Sequence, residues 1–254
     1  MMRICSLTSG SKGNSLFIES SHARILIDAG LSALQIKNRL KSIDVAPESL
    51  DAIIITHAHR DHISAVDVLS YQLDIPVFGH PDTLRTLTYF FKRIQKIIPC
   101  TGKFSIKDLD LHPFPVSHDS IPTVGYLIRL GTKTLSVSTD LGIVTPEAEE
   151  NISQAQFIVI ESNHDSEMLL NGPYSWELKQ RIASRLGHLS NHDTGFFLKS
   201  IMNGKIQKIL LAHLSEENNL PALAKNTVLD FIGYQHNELL DVLEQKKVSA
   251  VFTF

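Results

Sequence analysis

Cysteine is scarce in this chain, which has two in 254 residues, Cys5 and Cys100. So few, so far apart, argue against a disulfide framework; Cys5 lies in a strand-like stretch and reads as a buried thiol rather than a disulfide partner or a metal ligand. Long hydrophobic runs are also missing, since none approaches the length that spans a bilayer. Met1-Met2-Arg3-Ile4-Cys5 passes directly into polar Thr8-Ser9-Gly10-Ser11-Lys12-Gly13, with no apolar segment of signal-peptide length. The expectation is a cytoplasmic protein with no membrane partner. Nor is there an excess of one charge: the formal net charge is -3, so any polyanion must be held by a local patch or by metal. Without a Pro/Gly-rich linker, low-complexity tract, charge block or visible repeat, residues 1–254 read as a single domain. The 43% hydrophobic and 20% charged content is that of an ordinary globular protein.

Histidine is what the chain has, and its placement matters more than its number. The β-branched run Ala52 to Ile55 is too short for a helix and reads as a buried strand. Thr56-His57-Ala58-His59-Arg60-Asp61-His62 follows at once, before a helical pattern beginning near Ala65. Three imidazoles and a carboxylate therefore leave one turn at the edge of a rigid sheet, where function is commonly built.

Around that turn the chain alternates in texture. Arg3–Thr8, Ser15–Glu19 and Arg24–Ile27 read as strands too closely spaced for helical crossovers, hence antiparallel. Ser32 to Leu40 shows helical spacing with Ser32 as its cap. Strand–helix units follow, then a second antiparallel stretch at Leu109–Val116, Val124–Leu130 and Thr134–Ser138. Helices are expected over Ala65–Leu73, Pro81–Phe91, Pro146–Ile152, Trp176–Leu186, Thr194–Met202 and Leu220–Ile232. Short strands are expected at Pro76–Gly79, Phe157–Glu161, Lys208–Ala212 and Val248–Phe252. Antiparallel strands followed by strand–helix units, twice over, suggest two sheets packed face to face with helices outside.

Three later strands also end in a ligand-type residue. Leu111 to Asp119 delivers His118, Leu135 to Asp140 delivers Asp140, and Ile209-Leu210-Leu211-Ala212 delivers His213. With the first turn they make seven N/O donors. A set of that size, sharing one carboxylate, suffices for two cations about 3.5–4 Å apart.

These motifs resemble the metallo-β-lactamase superfamily over nearly the whole chain. The resemblance implies an α/β fold, a four-layer αβ/βα sandwich of two mixed β-sheets with helices on the outer faces. It implies that His57, His59 and His118 hold one metal, that Asp61, His62 and His213 hold the other, and that Asp140 bridges them. Asp28, in Leu26-Ile27-Asp28-Ala29-Gly30, matches the family's first motif, where the carboxylate supports the site without ligating. Ser9 to Ser15, Glu161 to Asp165, Gly187 to Asn191 and His213 to Asn219 look like the bacterial YycJ/WalJ-type branch, associated with DNA 5′–3′ exonuclease activity. The domain-sized β-CASP insertion of related nucleases has no room between Asp140 and His213.

Metal chemistry then gives a mechanism. A water held between two divalent cations loses its proton near neutral pH and can attack phosphorus in line. The leaving alkoxide needs a proton or a charge partner. His164 and His188 are the candidates, joining Asp61 as catalytic residues, against the reading of either histidine as a surface or helix-capping residue. Ser11, Lys12 and Asn14 of the Gly-Ser turn can contact phosphate, or simply form a hairpin turn. Ser190 and Asn191 either meet the substrate or cap the next helix, and capping is preferred for Asn191. Phe90 to Lys96, and Lys179, Arg181 and Arg185, are the cationic patches; a solvated helix face is the plainer account of both.

A two-metal phosphodiesterase acting on DNA as its nucleic-acid substrate is the leading reading. Hydrolysis of a small ester, thioester or lactone on the same di-metal site is the alternative. An oxygen-reducing di-iron centre typically carries a carboxylate where His59 stands. A binding protein that has lost catalysis would have lost donors, and all seven are present. A His/carboxylate set suits Zn²⁺, Mn²⁺ or Fe²⁺.

Overall fold

A computed structural model describes residues 1–120 and 122–254. The first half runs β1 (Arg3–Thr8), β2 (Ser15–Glu19), β3 (Arg24–Ile27), α1 (Ala33–Lys41), β4 (Ala52–Ile54), α2 (Arg60–Ile63), α3 (Val66–Leu73), β5 (Val77–Gly79), α4 (Pro81–Phe90) and β6 (Ile97–Pro99). The second runs β7 (Phe104–Ile106), β8 (Leu109–Pro115), β9 (Val124–Leu130), β10 (Lys133–Ser138), α5 (Pro146–Ile152), β11 (Phe157–Glu161), α6 (Ser166–Asn171), α7 (Trp176–Ile182) and α8 (Asn191–Ile201). It closes with β12 (Lys208–Ala212), α9 (Pro221–Ile232), β13 (Leu240–Val242) and β14 (Phe252–Thr253).

The strands form two sheets, ordered β14-β1-β2-β3-β4-β5-β6 and β13-β12-β11-β10-β9-β8-β7. Within each sheet, consecutive strands joined by short connections pair antiparallel and those joined through helices pair parallel, while β14, from the far end of the chain, adds antiparallel to β1. The change falls at β3–β4 in the first sheet and at β10–β11 in the second.

Burial on both faces explains why the parallel strands read as unbroken apolar runs. Along β4, Ala52 and Ile54 join the core between the sheets, while Ile53, and Ile55 just past the strand, face the helical layer of α1, α3 and α4. In β11, Phe157 and Val159 face inward, and Ile158 and Ile160 meet α5, α8 and α9. The result is four layers, helix–sheet–sheet–helix. Each fully buried Ile contributes about 1.5–3 kcal/mol.

Several boundaries differ from the sequence reading, each for a local reason. The helix expected over Ala65–Leu73 is α3, and a short helix not expected from sequence, α2, precedes it; the two stay separate because the Ala65 N–H turns to the carbonyl of Ala29 (2.8 Å) and breaks the ladder. Helix α7 stops at Ile182, well short of Leu186, since the Ile182 carbonyl accepts the N–H of His188 (2.9 Å). The expected strand Val248–Phe252 gives way to β14, which starts only at Phe252 and runs on to Thr253, because the Ser249 hydroxyl takes the Ser6 N–H (3.0 Å) that a ladder would have used. β6, β7, β13, α2 and α6 had no sequence counterpart.

Candidate metal centre

The donors converge because the strands that carry them end at one edge of the sandwich. β3, β4, β10, β11 and β12 run into Asp28, Thr56–His57, Asp140, Glu161 and His213. Asp28, Asp140 and His213 all turn away from their strands with left-handed backbones (φ 62°, 58° and 56°). Side chains other than glycine adopt that conformation at a cost of order 1–3 kcal/mol.

Asp28 organises the first turn. Its carboxylate accepts the Thr56 N–H (2.9 Å) and hydroxyl (2.8 Å) and the Nδ1–H of His62 (2.7 Å). The backbone of Asp61 presses against Gly30 so closely that a Cβ there would lie 1.5 Å from the Asp61 carbonyl oxygen. Asn14 binds across this junction: its amide donates to Asp61 Oδ2 (3.0 Å) and Gly10 O (3.1 Å).

Among the described residues, ligand atoms within 4.8 Å of one another form two trios, His57–His59–His118 and Asp61–His62–His213. A third grouping, His57–His62–Asp140, links them through Asp140. Asp140 is 2% exposed, and its Oδ2 lies 3.1 Å from His62 Nε2. Burial would raise its carboxyl pKa, but His213, His62 and His57 outweigh that and hold it well below the usual range. His62 and His213 move the opposite way. Burial alone would lower them, and the facing carboxylates, Asp140 foremost, raise both well above ordinary histidine. His57, deeper and with His62 beside it, is pushed well down.

Three buried atoms at this focus, His57 Nε2, His213 Nε2 and Asp140 Oδ2, have no hydrogen-bond partner among the described residues. Buried polar atoms are rarely left so. With two donor trios and a shared carboxylate around them, these residues fit a pair of divalent cations.

A fourth grouping, Asp140–Glu161–His188–His213, contains a residue that sequence reasoning missed. Glu161 is fully buried, and its Oε1 accepts the Nδ1–H of both His188 (2.8 Å) and His213 (2.6 Å). Its Oε2 accepts the backbone N–H of Leu141 (2.7 Å). With both oxygens engaged, Glu161 orients imidazoles rather than ligating. Burial would raise its pKa; His188 and His213 bring it down to about 2. The signal was present, since β11 is another apolar strand that ends in a donor.

The centre floors a cleft of about 360 Å³, and His188 lines it. Ser11 and Arg181 line it too, Arg181 donating through Nε to Asp119 Oδ2 (2.7 Å). Asp119, unremarked in the sequence, puts Oδ1 3.4 Å from His118 Nε2. The other sequence candidates fall elsewhere. Lys12 pairs with Glu216 beside a neighbouring cavity of about 440 Å³. The Asn14 amide is occupied by Gly10 and Asp61, so it fixes a carboxylate instead of facing phosphate. Ser190, not Asn191, caps α8, its hydroxyl accepting the Asp193 N–H (3.1 Å). Asn191 joins a buried network with Ser162 (2.7 Å) and Asn219 (3.0 Å). His164 is 3% exposed and lines a different cavity, behind α7. Of the two proton-donor candidates, only His188 faces the cleft.

Comparison with known proteins agrees with this architecture. Residues 23–213 match the model of the beta-lactamase superfamily domain. The chain is 39% identical over 230 residues to Exodeoxyribonuclease WalJ of Streptococcus pneumoniae, covering 88% of this chain and 86% of that protein. It is 34% identical over 243 residues to Exodeoxyribonuclease YycJ of Bacillus anthracis, covering 93% and 92%. Among solved structures, the metallo-beta-lactamase fold protein YhfI from Bacillus subtilis superposes with a TM-score of 0.73 at 17% identity, over 98% of each chain.

Proposed function

This chain belongs to the beta-lactamase superfamily, in the family of the WalJ and YycJ exodeoxyribonucleases, and from that premise we propose that it is a single-domain, metal-dependent exonuclease that degrades DNA with 5′–3′ polarity. The observation that carries the reading is the pair of donor trios meeting at Asp140 on the floor of a cleft. His57, His59 and His118 hold one divalent cation, Asp61, His62 and His213 the other, and Asp140 is shared. Zn²⁺ and Mn²⁺ suit these donors, with Fe²⁺ next. When bound, the cations supply Lewis acidity toward a water and toward the phosphoryl oxygens.

The protein's own groups do the rest. Asp28 and Glu161 receive the Nδ1–H of His62 and His213, so each ring is fixed in the tautomer that leaves Nε2 for metal. Glu161 also accepts the Nδ1–H of His188 and raises its pKa against the effect of burial, which favours the doubly protonated ring. In that form His188 presents its Nε2 proton at the cleft wall, placed to reach the leaving alkoxide. Arg181 brings a guanidinium to the cleft, suited to a phosphate of the bound strand. Acting on DNA, the enzyme works in the cytoplasm.

The test is digestion of 5′-phosphorylated, end-labelled single- and double-stranded DNA by the wild type and Asp140→Asn, alongside metal analysis. Asparagine tolerates the left-handed backbone at this position. Nucleotide release by the wild type, lost in the variant together with bound metal, supports the assignment. Metal-replete wild type that leaves all nucleic acids intact yet cleaves a thioester overturns it.

A further inference from the structure

Helix α7 has no buried residue, because it stands as a wall between two hollows. Leu178, Arg181 and Ile182 face the cleft of the metal centre. Trp176, Lys179, Gln180 and Ala183 face a second cavity of about 260 Å³, which His164 and Leu170 also line.

Two features of this second cavity need an occupant. Trp176, the only tryptophan of the chain, is 59% exposed. Leaving so large an aromatic in water forgoes the burial that usually accompanies it. His164 shows the opposite imbalance: it is 3% exposed, yet its Nδ1 has no hydrogen-bond partner among the described residues. Burial keeps its pKa below that of ordinary histidine, so the ring is neutral, with one nitrogen donating and the other accepting. An open π face beside an unpartnered imidazole is complementary to a flat heteroaromatic ring that carries hydrogen-bonding atoms on its edge. The Gln180 amide adds a donor and an acceptor, and the Lys179 ammonium, held on Leu170 O (2.8 Å), adds positive charge at the rim.

The geometry points to a base-binding subsite: an unstacked nucleobase of the DNA strand in the cleft enters the cavity behind α7, stacks on Trp176 and meets His164 with its edge. This inference rests on the DNA-exonuclease reading above. A helix with its side chains is about 10–12 Å across. A strand rising about 3.4 Å per nucleotide therefore crosses α7 in about three nucleotides. Stacking accepts any base, so the subsite selects for an unpaired strand end rather than a sequence.

Because Trp176 is unique, its emission reports the site without turnover. Metal-free protein is titrated with a 5′-phosphorylated oligothymidylate and with an abasic oligonucleotide of equal length. Quenching by the first and not the second is expected. Fluorescence anisotropy of a labelled oligothymidylate should show affinity falling about tenfold in Trp176→Ala, the scale of one base–aromatic stack. Trp176→Phe should restore most of it. With metal-loaded protein, Trp176→Ala should raise KM for single-stranded DNA more than it lowers kcat. Equal quenching by the abasic strand, or unchanged affinity in Trp176→Ala while wild type degrades DNA, overturns the subsite and leaves the exonuclease reading intact. A Trp176→Ala chain that changes oligomeric state instead marks a copy-to-copy contact and likewise overturns it. Failure of metal-loaded wild type to degrade any DNA overturns the exonuclease reading, and the subsite with it.

Discussion

Asp28 and Asp140 stand just past corresponding strands of the two sheets and meet opposite nitrogens of one imidazole. Asp28 Oδ2 is 2.7 Å from His62 Nδ1, and Asp140 Oδ2 is 3.1 Å from His62 Nε2. β3 and β10, the strands that deliver them, are each antiparallel to the preceding strand and parallel to the next. The same junction, built once in each sheet, serves as an outer support in one half and as the shared centre in the other.

Replacing Asp28 with asparagine keeps the left-handed backbone and removes the charged acceptor for His62 and Thr56. Metal affinity should fall by roughly 10–100-fold, as it does when such supporting carboxylates are lost elsewhere. Chelator competition measures it, and unchanged affinity would show that Asp28 does not orient His62.

His188→Ala should lower kcat on DNA by roughly 10²–10⁴ with metal content intact. A substrate with a nitrophenolate leaving group, which departs without a proton, should lose far less. If metal content falls along with activity, His188 is a ligand and its proton-donor role is wrong.

Stability of the metal-free protein should pass through a maximum in mildly acidic solution. His62, His188 and His213 have raised pKa values, so their contribution is full below about 6.5 and is lost as pH rises through the folded values. Asp61, Asp140 and Glu161 are lowered, so theirs is full above about 4.5 and fades as pH falls toward about 2. Melting temperature should therefore peak between those limits. Because metal competes with protons for the imidazoles, added Mn²⁺ or Zn²⁺ should raise Tm more at about pH 8 than at about pH 6. A metal-free Tm still climbing through pH 8 contradicts the charge state assigned to the site.

Gly30→Ala should be among the most damaging single changes in the chain. A Cβ would sit 1.5 Å from the Asp61 carbonyl oxygen and 2.5 Å from the Asn14 nitrogen, both backbone atoms. A loss of about 3 kcal/mol or more is expected in urea unfolding. Gly102→Ala, with nothing within 4 Å, should stay within about 0.5 kcal/mol of wild type.

The parts of the site legible in the sequence are those set by local spacing. His57, His59, Asp61 and His62 share one turn, and His118, Asp140 and His213 each follow an apolar strand. Glu161 obeyed the same rule, but a strand-ending glutamate also suits solvent, and only the fold shows it buried between two imidazoles. The division between His164 and His188 was illegible for another reason. It depends on α7 passing between their loops, a tertiary relation that spacing does not encode. Likewise the break after α2 depends on a carbonyl of Ala29, far back in the chain.

The placement of the donors also orders events in time. The turn after β4 offers four of them early, yet the first trio waits for His118 and the second for His213 at the end of β12. A chain still being made, or one whose second sheet has mispaired, lacks a donor of each trio. The donor set is thereby completed only when the second sheet is in place, so the fold itself gates the assembly of the centre.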